Sequence, residues 1–273
     1  EITAEIPGTW ITRGSGQESI TAIRSPALTG PGSCGSFLFL EDGVAIRPTG
    51  FCNVNETFEM VSELASAIEA IRGPASALYG SNALHGTLNV LLPEPGPDTL
   101  YVSGEAGPDS FMRGKLIWGD GTGSGDGLIG GLVYDHSDDF RDSAGYRQAK
   151  AFLKYGTDLR GGQLELAFSG TLLDQDTAGF IYGENAYRDE SRRHTNSNPD
   201  AYRRANSQRF NASWQPDGNR ADDGWKLIGF LRRSEMDFLQ HFLPGQPVEK
   251  NGQWSGGATL LRYTGIDTVL AGK

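Results

Sequence analysis

From Leu100 onward the chain changes residue character at every second position. Gln163, Glu165, Ala167, Ser169 and Thr171 alternate with Leu164, Leu166, Phe168, Gly170 and Leu172. A period of two gives an extended strand one polar and one apolar face, whereas a helix would group like residues three or four apart. The run is close to the roughly nine to eleven residues with which a tilted strand crosses a bilayer. Similar alternation covers Leu100 to Ala106, Met112 to Trp118, Leu128 to Tyr134, Ala149 to Tyr155 and Phe210 to Trp214. It continues less regularly over Trp225 to Leu231 and Trp254 to Tyr263. About eight strands are expected, with the apolar face toward lipid and the polar face toward a lumen.

The connections fit that expectation. Asp158-Leu159-Arg160-Gly161 is a tight turn, while the next connection runs from Asp174 to about Arg204. A structureless stretch of that length is unusual inside a compact soluble domain and ordinary on the outer rim of a barrel. Trp118, Tyr134, Tyr155, Trp214 and Trp225 near strand ends are candidates for interfacial aromatic belts.

Before Leu100 the pattern is mixed. Phe37-Leu38-Phe39-Leu40 reads as a short strand followed by the turn Glu41-Asp42-Gly43. Thr57 to Ala67 reads as a helix, with Phe58, Val61, Leu64, Ala65 and Ile68 at spacings of three and four. Pro93-Glu94-Pro95-Gly96-Pro97 interrupts regular structure, because each proline removes a donor and restricts its predecessor. The expected division is an α+β unit over 1–92, a Pro/Gly linker over 93–98 and a strand array over 99–273.

The stretch Ile68 to Val90 combines a strand, a Gly-Pro break, a Tyr-Gly turn and a second strand. Glu69 with Arg72-Gly73-Pro74, then Tyr79-Gly80, Gly86 and Asn89, resembles the signature closing the plug domain of TonB-dependent outer-membrane receptors. Asp42-Gly43-Val44 is similar to that family's acidic-Gly turn. The resemblance runs from about Trp10 to Val90, with pattern-level support through the strands. Ser25 departs from it where a Gly commonly follows the first plug arginine, and His85 stands where Gly is common. The chain begins at Glu1 without a signal sequence and reads as a fragment.

What the resemblance implies is a plug followed by an antiparallel transmembrane β-barrel, truncated after about eight strands. It implies a Gram-negative outer-membrane receptor that imports a scarce nutrient when the TonB-ExbB-ExbD complex displaces the plug. A ferric siderophore is the first expectation, with cobalamin, haem or an oligosaccharide as alternatives. Arg24 and Arg72 are expected to pair with glutamates on the barrel wall, since a charge at such an interface must be paired. Ligand contact is expected from plug residues Arg47 and Phe51 and from loop residues Tyr182, Tyr187, Arg188, Arg192 and Arg193. Guanidinium groups suit carboxylate or catecholate oxygens, and aromatic rings supply contact area. In a cell-envelope protein, Cys34 and Cys52 read as a disulfide contributing about 3 kcal/mol, with two free thiols as the alternative.

Other classes fit less well. A net charge of −10 without a basic stripe speaks against nucleic acid. No apolar run approaches the roughly 20 residues of a membrane helix. Enzymatic signatures are lacking: no Gly-x-Ser-x-Gly, His-Glu-x-x-His or P-loop occurs, and His85, His136, His194 and His241 lack ligand spacing. No cofactor or metal is expected. A passive porin or structural barrel would share the alternation without needing the 72–90 signature, and a soluble β-sandwich would lack aromatic belts.

Overall fold

The computed structural model describes residues 6–13, 16–26, 37–46, 56–75, 82–123, 125–218, 224–241 and 243–263. Eight antiparallel strands follow one another as a meander, β7 through β14, each pairing with its sequence neighbours. They are β7 (Thr99–Ala106), β8 (Met112–Gly123), β9 (Asp126–Ser137), β10 (Tyr146–Asp158), β11 (Gly162–Asp176), β12 (Tyr202–Pro216), β13 (Gly224–Leu239) and β14 (Val248–Tyr263). All eight expected strands are present. From β8 onward they run 12 to 16 residues, longer than a tilted bilayer crossing requires.

The connections sort by rim. One rim carries the connections that follow β7, β9, β11 and β13, the longest of them 177–201, while the other carries those that follow β8, β10 and β12, among them the tight turn 159–161. The 93–98 segment lies at the short-turn rim, where Gly125 N donates to Pro95 O at 2.9 Å. Leu132, Leu153, Phe168, Leu172, Phe210 and Leu231 are exposed on the outer face. Trp118, Tyr155, Trp214 and Trp225 lie near the short-turn rim, the last two with ring centroids 5.2 Å apart. Tyr134 stands toward the long-loop rim.

The N-terminal part holds a hairpin, β1 (Thr9–Arg13) with β2 (Ser19–Ile23), and a four-stranded sheet of order β4-β3-β6-β5. In that sheet β3 (Phe37–Glu41) runs parallel to β6 (Gly86–Leu91), flanked by β4 (Val44–Ala45) and β5 (Ala67–Arg72). Both faces of β3 are buried, as its unbroken apolar run requires. Phe37, Phe39, Leu88 and Val90 pack with Met60, Val61 and Leu64, and this core continues into Ile129, Val133 and Phe152 of the large sheet. The inner face of the large sheet is therefore not uniformly polar: it turns apolar where the small unit packs.

One expected element differs. Thr57 to Ala67 is not a continuous helix but two 3-10 turns, Glu56–Glu59 and Ser62–Leu64, leading into β5. The carbonyls of Thr57, Val61 and Ser62 accept from amides three residues on, whereas those of Phe58, Glu59 and Met60 are taken by the large sheet. Gln148 donates to Phe58 O, Thr171 and Arg209 to Glu59 O, and Lys150 to Met60 O. The Val61 amide goes to the Glu41 carboxylate at 3.0 Å. Phe58, Val61 and Leu64 are all buried, but in two places: Phe58 packs with Tyr146, Leu173, Ala205 and Met236, whereas Val61 and Leu64 join the core around Phe39.

Candidate functional site

Carboxylates of the small unit meet cations of the large sheet along β10 to β13. Arg209, on β12, grips Glu41 with two nitrogens at 3.1 and 3.2 Å. Its Nη2 also donates to Glu59 O at 2.7 Å. Ser169 donates to Glu41 and Ser234 donates to Glu59. Arg232 is the cross-strand neighbour of Arg209 and donates to Ser255 Oγ at 2.7 Å. All four charged side chains are buried. Such burial is tolerated because the charges are matched and most of the remaining polar atoms are hydrogen-bonded.

Two lysines on the inward parity of β10 extend this seam. Lys150 Nζ lies 2.9 Å from both oxygens of Glu63. Lys154, fully buried, reaches Asp42 at 3.1 Å and Glu94 at 2.9 Å. Near the long-loop rim, Glu18 in the β1–β2 turn pairs with Arg203 at 2.8 Å, and Gln17 N donates to the Gln175 side chain. Asp135, buried beside them, accepts from Arg113 at 2.9 Å.

Burial sets the titration of these acids. It raises Asp42 from 3.8 to about 6 against the pull of Lys154. It raises Glu59 as well, with Arg209 opposing. Burial would also raise Glu63, but Lys150 outweighs it and holds this carboxyl below its ordinary value. These are consequences of removing a carboxylate from water with unequal compensation by a nearby cation.

The signature residues form one connected chain through this region. Asp42 and Gly43, both at positive φ (49° and 78°), make the two-residue turn between β3 and β4. An Asp-Gly pair suits a turn of this kind because Gly carries no steric penalty there. Glu69 Oε2 accepts from the Asn89 amide at 2.9 Å, and Asn89 Oδ1 accepts from Gly43 N at 3.0 Å. Asp42 then accepts from Leu92 N at 3.0 Å and meets Lys154. Gly86 is fixed by space, since a Cβ there would stand 2.9 Å from Ile23 and from the Ile71 carbonyl. Gly73 N donates to His85 O, just before Pro74, and the His85 ring packs 5.9 Å from Phe37.

Arg24 and Arg72 lie elsewhere. Both are exposed, and among the described residues neither forms an ion pair with the large sheet; Arg72 donates to Pro7 O at 2.8 Å. The interface ion pairs seen here have the opposite polarity, acids on the small unit and cations on the sheet. Inward-parity Lys150, Lys154, Arg203, Arg209 and Arg232 were the available sequence signal, since strand parity alone assigns them to the face of Phe152 and Ser169. Cys34, Cys52, Arg47, Phe51, Tyr79 and Gly80 lie outside the described residues.

The loop candidates gather on the long-loop rim. Residues 177–201 include a 3-10 turn, Ala186–Arg188, and the short helix α1 (Glu190–His194), capped by Asp189. The Ser191 hydroxyl and two amides hold the exposed Asp189 carboxyl below its ordinary value. Tyr182 and Tyr187 are exposed, with Arg188 stacked 5.5 Å over the Tyr187 ring. Arg192 donates to Tyr182 O at 2.6 Å, and Arg193 pairs with Glu190 at 2.8 Å. Arg192 thus shapes the loop, while Arg188 and the tyrosines face outward. A hollow of about 630 Å³ flanked by Leu116, Leu132, Phe168 and Leu172 lies on the exposed apolar face instead and belongs to the outer band.

Residues 1–87 match the family described as TonB-dependent Receptor Plug Domain. The N-terminal part carries that plug domain, and the plug and the large sheet together share the fold of solved metal-uptake proteins. The small unit is accordingly called the plug below, and the large sheet the barrel wall. The ferric citrate transporter FecA, in its unliganded form, superposes at a TM-score of 0.73 with 15% identity. That match covers 94% of this chain and 40% of FecA. FyuA, the ferric yersiniabactin uptake receptor of Yersinia pestis, matches at 0.66 with 17% identity over 93% of this chain and 40% of its own. The copper transporter OprC matches at 0.69 with 14% identity, over 94% and 39%. The chain spans about 40% of the length of these proteins.

Proposed function

We propose that this chain belongs to an energy-coupled receptor in the outer membrane of a Gram-negative bacterium. Its barrel imports a scarce nutrient when the TonB-ExbB-ExbD complex displaces the plug, and outer-membrane lipid surrounds the apolar outer face. The observation that carries this reading is the plug seated against the inward face of the wall by matched buried charges, including the Arg209–Glu41 fork. A passive pore needs no such seated body. Family and fold are those of transport receptors, so we read the protein as a transporter and not an enzyme.

The ligand we propose is a ferric siderophore. Support comes from the aromatic and guanidinium groups of the 177–201 loop, Tyr182, Tyr187 and Arg188 foremost, whose chemistry suits an anionic chelate. Arg47 and Phe51 are proposed as the plug's contribution, and Arg24 and Arg72 as partners of barrel carboxylates outside the described residues. The division into a plug over 1–92, a Pro/Gly linker over 93–98 and a barrel over 99–273 is proposed as well. We propose that Cys34 and Cys52 form a disulfide.

Uptake of labelled ferric citrate, ferric catecholates, cobalamin and haem by cells carrying the receptor tests this reading. Uptake of an iron chelate that stops when the inner-membrane complex is disabled is the expected result. Uptake indifferent to that complex would contradict the receptor reading, and coupled uptake of cobalamin or haem alone would contradict the siderophore.

A further inference from the structure

The long loop over 177–201 buries almost nothing of its own. Apart from Ala186, the residues from Phe180 to Thr195 are exposed or half-buried, and α1 has only five residues, too few to be stable alone. Yet the loop is folded, with internal hydrogen bonds from the amides of Ala186, Arg188, Asp189, Arg193 and Thr195. Its support comes from the neighbouring loop over 138–145. Arg141 Nη1 donates to Gly179 O at 2.6 Å, at one end of the segment. Its Nη2 and Nε donate to Thr195 O at 2.8 and 3.3 Å, at the other.

The two loops are joined further by Asp142 N to His194 O at 2.9 Å and by Asn196 Nδ2 to Ser143 O at 2.9 Å. The rings of Phe140 and His194 meet edge to face, 6.0 Å apart. Partial burial lowers the Arg141 pKa, with Asp139 opposing, and most of its donors go to backbone carbonyls. A planar fork with five donors can hold two carbonyls at once; an ammonium on a flexible stem holds them less well.

We propose that Arg141 is a positioning residue whose side chain clasps both ends of the long loop and keeps its outward aromatic face formed before any ligand arrives. This deepens the ligand reading above and rests on it only for its functional consequence. A surface already ordered loses less conformational freedom on binding, so the brace favours capture by a preformed site over folding around the ligand.

The test uses the full receptor in detergent, as wild type, Arg141→Ala and Arg141→Lys, with Arg193→Ala as a control outside the brace. Hydrogen exchange is measured without ligand at the amides of Ala186, Arg188, Asp189, Arg193 and Thr195. Arg141→Ala should speed exchange at these positions together by about tenfold or more, Arg141→Lys by less, and Arg193→Ala should leave Ala186 and Arg188 unchanged. Unchanged exchange in Arg141→Ala, or a lysine variant identical to wild type, would overturn the two-ended clasp.

Association of ferric citrate and of a ferric tris-catecholate is followed in parallel, with Tyr182→Ala as the contact variant. If either probe binds, slower association in Arg141→Ala is expected, and an unchanged rate would overturn the functional consequence. If neither binds while exchange responds as expected, the brace stands and the siderophore reading fails.

Discussion

The two faces of β10 differ by one residue of register and by an entire environment. Lys150, Phe152 and Lys154 point inward and are buried against the plug, while Leu153 and Tyr155 between and beyond them stand exposed on the outer face. Ammonium groups sit deeper than leucine in this wall because each inward lysine has a plug carboxylate within about 3 Å. On β10 charge is therefore sorted by parity: inward it is matched by the plug and serves attachment, whereas at Leu153 and Tyr155 an outward charge would face hydrocarbon.

The most damaging change should be on the inward face. Arg209→Ala strands Glu41 and Glu59 in a buried site, and loss of a partner from such a pair costs about 3–5 kcal/mol. The expected outcome is early release of the plug from the full receptor in urea, followed by hydrogen exchange in β3. Next comes the outward face: Leu153→Lys should destabilise barrel insertion by about 2–4 kcal/mol if its position is near the bilayer midplane, read as a lowered midpoint for folding into vesicles. No cost for Leu153→Lys, together with no cost for Lys154→Leu, which strands Asp42, would break the comparison.

A smaller effect follows from acidity. The folded-state pKa of Glu59 lies above its ordinary 4.5 because of burial, so the folded protein holds this proton more tightly than the unfolded chain. Its contribution is fully present below about 4.5 and is lost as the pH rises through its raised folded value. Plug stability should thus fall a few degrees on going from pH 6 to pH 8, and Glu59→Gln should flatten that slope in thermal melts. Glu63 works in the other sense: its pKa is lowered, so its contribution is lost on acidification below its ordinary value. The smallest effect is expected at the loop surface, where Arg193→Ala, removing an exposed pair with Glu190, should change stability by less than about 0.5 kcal/mol.

The strand array was legible because its signal is local. Leu164 to Leu172 names its own two faces, and Asp158 to Gly161 names its own turn. The segment around Glu56 to Leu64 was not, since its carbonyls at Phe58, Glu59 and Met60 bond to Gln148, Thr171, Arg209 and Lys150, far away in sequence. Spacing alone marked which residues are buried there but not the helix type. The interface followed the same rule. Asp42, Gly43, Glu69 and Asn89 were visible as a signature, whereas their link to Lys154 depends on a strand packed across from them. The plug arginines carry no signal of these pairs, whereas Arg209 and Arg232 stand on the inward parity of their strands.

A double-mutant cycle on Glu41 and Arg209 in the full receptor, Glu41→Gln, Arg209→Met and both together, tests the central claim most directly. With plug release in urea as the readout, a seated plug held by matched buried charges predicts strong coupling: each single change costs more than half of what the pair costs, and the double variant recovers about 1–3 kcal/mol relative to the sum. Strictly additive losses, or single variants whose plugs stay seated as in wild type, would contradict it.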